Sequence, residues 1–180
     1  SFNKSDEITY HSNFHDDEWK ISLIDTGPNS MTGSRISQIS DLVDENFMLT
    51  YGDAVSDINL KDLKKYHDSH NKVLTVTGAR PPGRFGELQA ENGLVVGFNE
   101  KPQISSGRIS AGYFVAKTEL FQYLKNDINL VFEESPISQI VEDRELMMFK
   151  HDGFWQPMDT SRDHRLLNEM YSNKNIKWKL

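Results

Sequence analysis

The sequence predicts a single α/β domain built on a parallel sheet. Strand-like apolar runs at residues 47–51 and 73–77 are each preceded by a segment whose apolar residues recur every three or four positions. This alternation is typical of right-handed crossovers between parallel strands. The 180 residues, 37% of them hydrophobic, are enough for one core and too few for two domains of ordinary size.

Composition excludes several classes of function. A net charge of -7 without a local cluster of lysine and arginine opposes binding to nucleic acid. No apolar run approaches the roughly 18 residues that span a bilayer, so we expect no membrane insertion and a cytoplasmic location. The absence of cysteine excludes disulfides, cysteine-ligated zinc and thiol catalysis.

The remaining elements follow from local patterns and turn signals. Residues 173–180 are expected to be a loosely held end. In chain order we predict strands at 8–11 and 19–25, a helix over 35–45, the strand at 47–51, a helix around 60–66, the strand at 73–77, a hairpin over 85–98, a strand at 109–115, short helices at 118–124 and 135–141, a strand at 146–150 and a closing helix at 162–171.

Two aspartates stand out as candidate metal ligands. Asp53 follows the apolar strand at 47–51, where a buried parallel strand would deliver a carboxylate to the carboxyl edge of the sheet. Asp159 ends a segment with two aromatic residues, a proline and a methionine, and an acid in such surroundings needs a partner. Together they could hold one Mg²⁺. Alternatively, Asp53 closes a turn or caps a helix, and Asp159 caps the closing helix.

Small and hydroxyl-bearing residues precede the first predicted helix. Thr32, Gly33 and Arg35 belong to a Ser-Met-Thr-Gly-Ser-Arg segment, and free N–H groups at a helix start favour anions or polar ligand edges. An ordinary N-cap by Thr32 or Ser34 is the alternative.

Further along the chain, Gly86 permits close approach of the backbone to a ligand, or simply forms a tight turn. Glu100 and Lys101 precede a proline and suit a ligand that carries hydroxyls and a phosphate, or form an exposed turn.

The histidines do not point to a catalytic or metal site. His11 and His15 are four residues apart in strand-like polar surroundings, which does not favour a metal role. His67 and His70 are expected on a solvated helix face. No Ser-His-Asp order or nucleophile-elbow sequence is present, so covalent catalysis is not indicated.

Taken in order, these segments resemble the sugar-1-phosphate nucleotidyltransferases, and within them the branch that transfers cytidylyl groups. The resemblance implies a Rossmann-like nucleotidyltransferase sheet with helices on both faces and a small β-hairpin region that binds the sugar. The matching segments are Asp-Thr-Gly at 25–27, Ser-Met-Thr-Gly-Ser-Arg at 30–35, Thr-Tyr-Gly-Asp at 50–53, Pro-Pro-Gly-Arg-Phe-Gly at 81–86, Glu-Lys-Pro at 100–102, Gly-Tyr-Phe-Val at 112–115, Phe-Glu-Glu-Ser-Pro at 132–136 and Gly-Phe-Trp-Gln-Pro-Met-Asp-Thr at 153–160.

The resemblance implies transfer of a cytidylyl group from CTP to a hexose 1-phosphate, glucose 1-phosphate above all, with Mg²⁺ and without a protein nucleophile. By the family pattern, Asp53 and Asp159 would hold the metal and Lys101 would meet the sugar phosphate. Glu100 and Gly86 would contact sugar hydroxyls. Thr32 and Gly33 would lie near the cytosine, and Arg35, Ser110 and Gly112 would complete the substrate site.

Two departures from the family pattern affect these expectations. Ser110-Ala111-Gly112 stands where the family usually has Asn-Gly-Gly, which leaves the identity of the hexose open. Nothing before Ser30 resembles the family's first strand and glycine-rich phosphate loop.

We therefore expect an N-terminally incomplete domain that lacks its first strand or strands. Residues 1–80 would be the remainder of the nucleotide-binding half, and 81–180 the sugar-phosphate half. A companion chain or a homo-oligomer would complete the site, and the chain alone would be inactive. The alternative is a non-catalytic module that binds nucleotide sugars or serves in assembly.

Overall fold

The computed structural model describes residues 20–81, 87–91, 94–99 and 107–178, and every structural statement below concerns these residues. The helices are α1 (Thr32–Ser37), α2 (Leu60–Asp68), α3 (Ser135–Glu142) and α4 (Ser161–Ser172), with 3₁₀ segments at Ser40–Leu42 and Thr118–Tyr123. The strands are β1 (Asn46–Thr50), β2 (Ala54–Ser56), β3 (Leu74–Ala79), β4 (Glu87–Glu91), β5 (Leu94–Asn99), β6 (Ile109–Lys117), β7 (Leu146–His151) and β8 (Trp155–Pro157).

The main sheet has the strand order β1-β6-β3-β7 and is mixed, not parallel throughout. Strands β3 and β7 are parallel, whereas β6 runs antiparallel to both β1 and β3. The prediction of a parallel sheet is therefore wrong at β6. The β4–β5 hairpin precedes β6 in the chain, and the described residues between β3 and β6 contain no helix that could return the strand in the parallel direction.

Helices cover both faces of the sheet, as the sequence predicts. On one face, Leu74 of β3 packs in a core with Ile36 of α1 and Ile140 of α3. On the other face, the next residue, Thr75, contacts His67 of α2. The buried residues of the first face are Ile36, Leu74, Phe114, Ala116, Leu120, Leu124, Leu130, Phe132 and Ile140. Among the described helices, none is long and apolar enough to cross a bilayer.

Two early elements differ from prediction. The helix predicted over 35–45 spans only Thr32–Ser37, because Ile36 faces the core whereas Leu42 is 59% exposed. The strand predicted at 19–25 is irregular over its described residues, and Ile21 and Leu23 are 72% and 74% exposed because no described strand lies beside them. The strand predicted at 8–11 lies outside the described residues, as do His11 and His15.

Strand β1 is an end strand of the described sheet, not the buried parallel strand expected from its apolar run. It pairs antiparallel with β6, and exposed and half-buried residues alternate along it. Met48, for example, is 47% exposed.

The other predicted elements are confirmed, with the segment at 118–124 forming a 3₁₀ turn. Strand β6 of the second proposed half lies between β1 and β3 of the first. The division at residue 80 stays a prediction.

His67 is buried instead of solvated. Its Nδ1 lies 2.8 Å from the Thr75 hydroxyl, and Nε2 of half-buried His70 lies 3.0 Å from the same oxygen. The Lys72 amide donates to Nδ1 of His70, so a neutral His70 carries its proton on Nε2 and donates it to Thr75. The Thr75 hydroxyl is then left to donate to His67. Burial lowers the pKa of His67 to about 4.

This burial predicts an acid-sensitive fold. Because the folded-state pKa of His67 lies below the ordinary histidine value of 6.5, the contribution of neutral His67 is fully present above that pH and is lost as the pH falls towards 4. At pH 4 the loss is about 3 kcal/mol. We expect His67→Gln to flatten the decline of the unfolding free energy between pH 7 and 4, measured by urea denaturation. His164→Gln, at an exposed position of α4, should keep the wild-type decline; an unchanged slope in His67→Gln would contradict the assignment.

Candidate active site

A small ladder between β2 and β8 brings the two candidate metal ligands together. Ala54 pairs with Pro157, and the amide of Met158 donates to the carbonyl of Asp53 at 2.8 Å. Asp53 thus lies opposite Met158, and Asp159 is the next residue of that segment. Two acids that are far apart in sequence lie at the same end of one ladder.

Neither carboxylate is engaged elsewhere in the described part of the chain. Asp53 and Asp159 are both exposed, and neither side chain forms a hydrogen bond to another described residue. The capping alternatives are wrong, because strand β2 follows Asp53 and because Thr160 caps α4. The Thr160 hydroxyl accepts from the Asp163 amide at 3.2 Å, in a capping box with that residue. Both acids are therefore available to a cation.

Two side chains anchor this ladder to the main sheet. The indole N–H of Trp155 donates to the carbonyl of Ala111 at 2.9 Å, and the Tyr113 hydroxyl donates to the carbonyl of Ala54 at 3.2 Å. Burial raises the pKa of Tyr113, so this donor stays protonated at neutral pH. Trp155 of the 153–160 segment thus orients the ladder.

Glu133 links the loop at α1 to the end of β1. One of its carboxylate oxygens accepts from the Thr32 hydroxyl at 2.9 Å, and the other accepts from the Tyr51 hydroxyl. The Thr32 oxygen in turn accepts from the Phe132 amide at 2.9 Å. Because Tyr51 precedes Asp53 by only two residues, Glu133 holds Thr32 to the strand end that leads to the acid pair.

Two amides in the first turn of α1 are not free for an anion. The amides of Gly33 and Ser34 both donate to the carbonyl of Leu130, at 2.9 and 3.2 Å. A Cβ added at Gly33 would lie 2.9 Å from Leu130, so this glycine permits the close packing. The expected N-cap by Thr32 or Ser34 is also wrong, because Met31 is the N-cap residue and no side chain caps the helix.

Arg35 lies on the same short helix and contacts the preceding loop. Its guanidinium donates to the Thr26 hydroxyl. The hydroxyl of Ser30 and the amide group of Gln38 both donate to the Thr26 carbonyl. Residues 26–30 are thereby held against α1.

Gly112 is required where β6 passes Tyr51. Its φ of 76° lies in the left-handed region, and its carbonyl accepts from the Tyr51 amide at 3.1 Å. An added Cβ would lie 3.1 Å from the Tyr51 ring. The Ser110 hydroxyl accepts from the Gly112 amide at 3.3 Å and so supports the same turn of the strand.

The structure leaves three predicted residues untested. Gly86, Glu100 and Lys101 lie outside the described residues, and their roles stay predictions. Among the described residues, no group of three or more histidines or acids could form a metal cage. The candidate metal site is the pair of aspartates alone.

The C-terminal segment is docked, contrary to the prediction of a loose end. The Trp178 ring stacks on Phe154 with centroids 6.0 Å apart, and the Lys177 ammonium lies 5.8 Å from the centre of the same ring. The residues after Trp178 lie outside the described part of the chain. The sequence signal for this contact is the aromatic residue Trp178 in a mostly polar tail.

A mixed sheet whose short β2–β8 ladder ends beside two exposed aspartates defines an α/β protein with a candidate cation site. The nucleotidyl transferase family model matches residues 3–161, and the chain belongs to this family. It is 40% identical over 163 residues to glucose-1-phosphate cytidylyltransferase from Salmonella typhi, covering 89% of this chain and 63% of that protein. It is 39% identical to a Bacillus subtilis protein assigned the same activity, with 90% and 64% covered.

Solved structures agree on the fold. HddC from Yersinia pseudotuberculosis superposes with a TM-score of 0.54 at 16% identity, over 81% of this chain and 64% of that one. A Bacillus anthracis structure assigned as a glucose-1-phosphate thymidylyltransferase gives a TM-score of 0.60 at 14% identity, over 86% and 65%. The chain therefore spans a little under two thirds of the length of these relatives.

The two hydrogen bonds that Glu133 accepts, from Thr32 and from Tyr51, predict how its removal changes the stability of the fold. Glu133→Ala removes both acceptors and should lower the free energy of unfolding by about 1 kcal/mol, because the Thr32 and Tyr51 hydroxyls lose a charged partner. Glu134→Ala is the matched control at the adjacent exposed position. Denaturant titration measures both changes. Equal changes in the free energy of unfolding of the two variants would show that the hydrogen bonds of Glu133 do not stabilise the fold.

Proposed function

We propose that this chain forms part of the active site of a sugar-1-phosphate nucleotidyltransferase. The enzyme would transfer a cytidylyl group from CTP to a hexose 1-phosphate, with glucose 1-phosphate favoured, and release a CDP-sugar and pyrophosphate. The 40% identity to a glucose-1-phosphate cytidylyltransferase supports the choice of nucleotide and sugar.

The observation that carries this proposal is the position of two exposed acids, Asp53 and Asp159, at the same end of the β2–β8 ladder. Mg²⁺ typically binds through one or two carboxylates plus substrate phosphates and keeps several waters, so two free carboxylates suit it better than a closed cage would. Asp53 and Asp159 would hold the ion. When bound, Mg²⁺ neutralises charge on the phosphates during an in-line displacement.

The other predicted residues would bind and orient the substrates. Thr32, held by Glu133, would lie near the cytosine with Gly33, and Arg35 would support that loop. The sugar phosphate would be received by Lys101, Glu100 and the Gly86 backbone, beside Ser110 and Gly112. In this scheme the protein supplies positioning and charge, and the sugar phosphate supplies the attacking oxygen.

Covalent catalysis is not supported by the arrangement of Ser56, Asp57 and His151. The serine and aspartate oxygens both approach the same imidazole nitrogen, Nε2, at 3.3 and 3.1 Å. A catalytic triad uses the two ring nitrogens separately, and here the Ser56 hydroxyl donates to the carbonyl of Phe154 at 2.7 Å.

The remaining part of the site is proposed to come from a phosphate-binding segment. It would be supplied by preceding sequence, by a companion chain or by a second copy of this chain. We expect this chain alone to be inactive in turnover.

The acid pair predicts a specific loss of turnover. Asp159→Asn preserves volume and removes the charge, so pyrophosphate release with CTP, glucose 1-phosphate and Mg²⁺ should fall by at least about 100-fold, or roughly 2.7 kcal/mol in the barrier. The assay uses the polypeptide as produced in its source organism. Asp41→Asn, at an exposed acid of the first 3₁₀ segment, should retain full activity. Wild-type activity in Asp159→Asn would rule out the metal assignment.

The proposed base preference predicts a ranking of nucleotides. CTP should support faster pyrophosphate release than UTP, GTP or dTTP at equal concentration. If the polypeptide as produced in its source organism released no pyrophosphate with any nucleotide and any common sugar 1-phosphate, the proposed enzyme activity would be rejected. Calorimetric binding of CDP-glucose together with that absence would favour the non-catalytic module instead.

A further inference from the structure

Asp57 holds the turn that leads from β7 into β8 by hydrogen bonds. Its carboxylate oxygen Oδ1 accepts from the Phe154 amide at 2.7 Å and lies 3.1 Å from Nε2 of His151. Its own amide donates to the Phe154 carbonyl at 3.1 Å. The Ser56 hydroxyl donates to the same carbonyl at 2.7 Å. Backbone and side chain of Asp57 thus hold both polar groups of Phe154.

The glycine between these partners shows how closely the turn is held. A Cβ added at Gly153 would collide with Oδ1 of Asp57 and lie 2.7 Å from Cε1 of His151. Any other residue at this position would push Asp57 away from the turn.

Arg108 fixes the same turn from the start of β6. Its guanidinium donates to the His151 carbonyl at 2.8 Å and to the Gly78 carbonyl at 2.9 Å. It also binds Oδ1 of Asp152 at 2.6 Å. Hydrogen bonds from Arg80 and Arg108 hold the pKa of Asp152 below its ordinary value, so this ion pair persists over the neutral range. The turn is therefore restrained through its backbone as well as through Asp57.

The contacts of Asp57 with Phe154 lie at one end of the β2–β8 ladder. Asp53 and Asp159 lie at the other end. The bonds between Asp57 and Phe154 come directly after the pairing of Ser56 with Trp155. The bond from Met158 to Asp53 closes the opposite end. Loss of the contacts between Asp57 and Phe154 would therefore let β8 shift along β2, and this shift would move Asp159 away from Asp53.

We propose that Asp57 is a positioning residue that sets the placement of Asp159 beside Asp53 and thereby the affinity of that pair for a divalent cation. The inference rests on the proposed function, since it takes the acid pair as the cation site. Asp57 acts through the Phe154 amide and the ladder and is not itself a ligand. Residues that orient ligands in this way typically change metal affinity about 10- to 100-fold when mutated.

Terbium(III) binding to the chain tests this directly, because its luminescence is sensitised by a nearby tryptophan and Trp155 belongs to β8. Asp57→Ala and Asp57→Asn remove the same charge, but only asparagine keeps an oxygen that can accept from Phe154. We expect affinity to fall about 10-fold in the alanine variant and only about 3-fold in the asparagine variant. Asp68→Asn, which loses an exposed partner of Lys64 on α2, should bind as the wild type does.

Each other outcome overturns the inference. Equal losses in the alanine and asparagine variants would show an effect of charge alone. An additional terbium-bound water in either variant, measured from lifetimes in H₂O and D₂O, would make Asp57 a ligand. Wild-type affinity in both variants would remove Asp57 from the site while leaving the proposed function intact. Terbium binding that is insensitive to Asp53→Asn and Asp159→Asn would instead reject the cation site, and the inference with it.

Circular dichroism and thermal melting establish that each variant is folded at the assay temperature. If Asp57→Ala does not fold, His151→Ala and His151→Gln replace that comparison. Glutamine offers Asp57 an N–H group in place of the imidazole, so it should retain affinity within about 3-fold while alanine loses more. Equal affinity in the two His151 variants and the wild type would overturn the inference.

Discussion

The hydrogen-bonded ladder between β2 and β8 is the constraint on which the candidate site depends. Each strand has only three residues, too few to be stable alone. The missing stabilisation comes from the bond of Trp155 to the main sheet, the bond of Tyr113 in that sheet to Ala54, and the hydrogen bond of Asp57 to the Phe154 amide. The site is therefore built by side chains that lie outside its proposed chemistry.

The same strands provide both apolar packing for the core and polar contacts outside it. Alternate residues of β3 serve the two faces, with Leu74 in an apolar core and Thr75 in a polar contact with His67. At the end of β1, Tyr51 is shared between packing against Phe114 and a hydrogen bond to Glu133. This sharing explains why Gly112, with its left-handed φ, stands next to Tyr51.

Much of the fold and the acid pair could be predicted from the sequence, because long periodic segments and residue types carry the information. The helix α2 and the strands β3, β6 and β7 have clear patterns. The direction of β6 could not be predicted, since strand polarity depends on long-range pairing that periodicity does not report.

Short and polar features escaped prediction for related physical reasons. The ladder strands are too short to show alternation. His67 lies on a helix with five charged residues among its nine, yet the Thr75 hydroxyl offers it a buried partner. Asp57 and Glu133 resemble ordinary surface acids, and only their hydrogen bonds to distant residues distinguish them. Trp178 gave a signal in its aromatic ring but none for its partner, Phe154.

The proposed site requires that Asp53 and Asp159 hold one cation between them. Anomalous diffraction from crystals of the protein grown with Mn²⁺ and CTP tests it most directly, because manganese replaces Mg²⁺ at oxygen ligands and its position is located independently of the protein phases. We expect a single strong manganese peak within coordination distance of both carboxylates. A peak bound by only one of the two aspartates, or by neither, would contradict it.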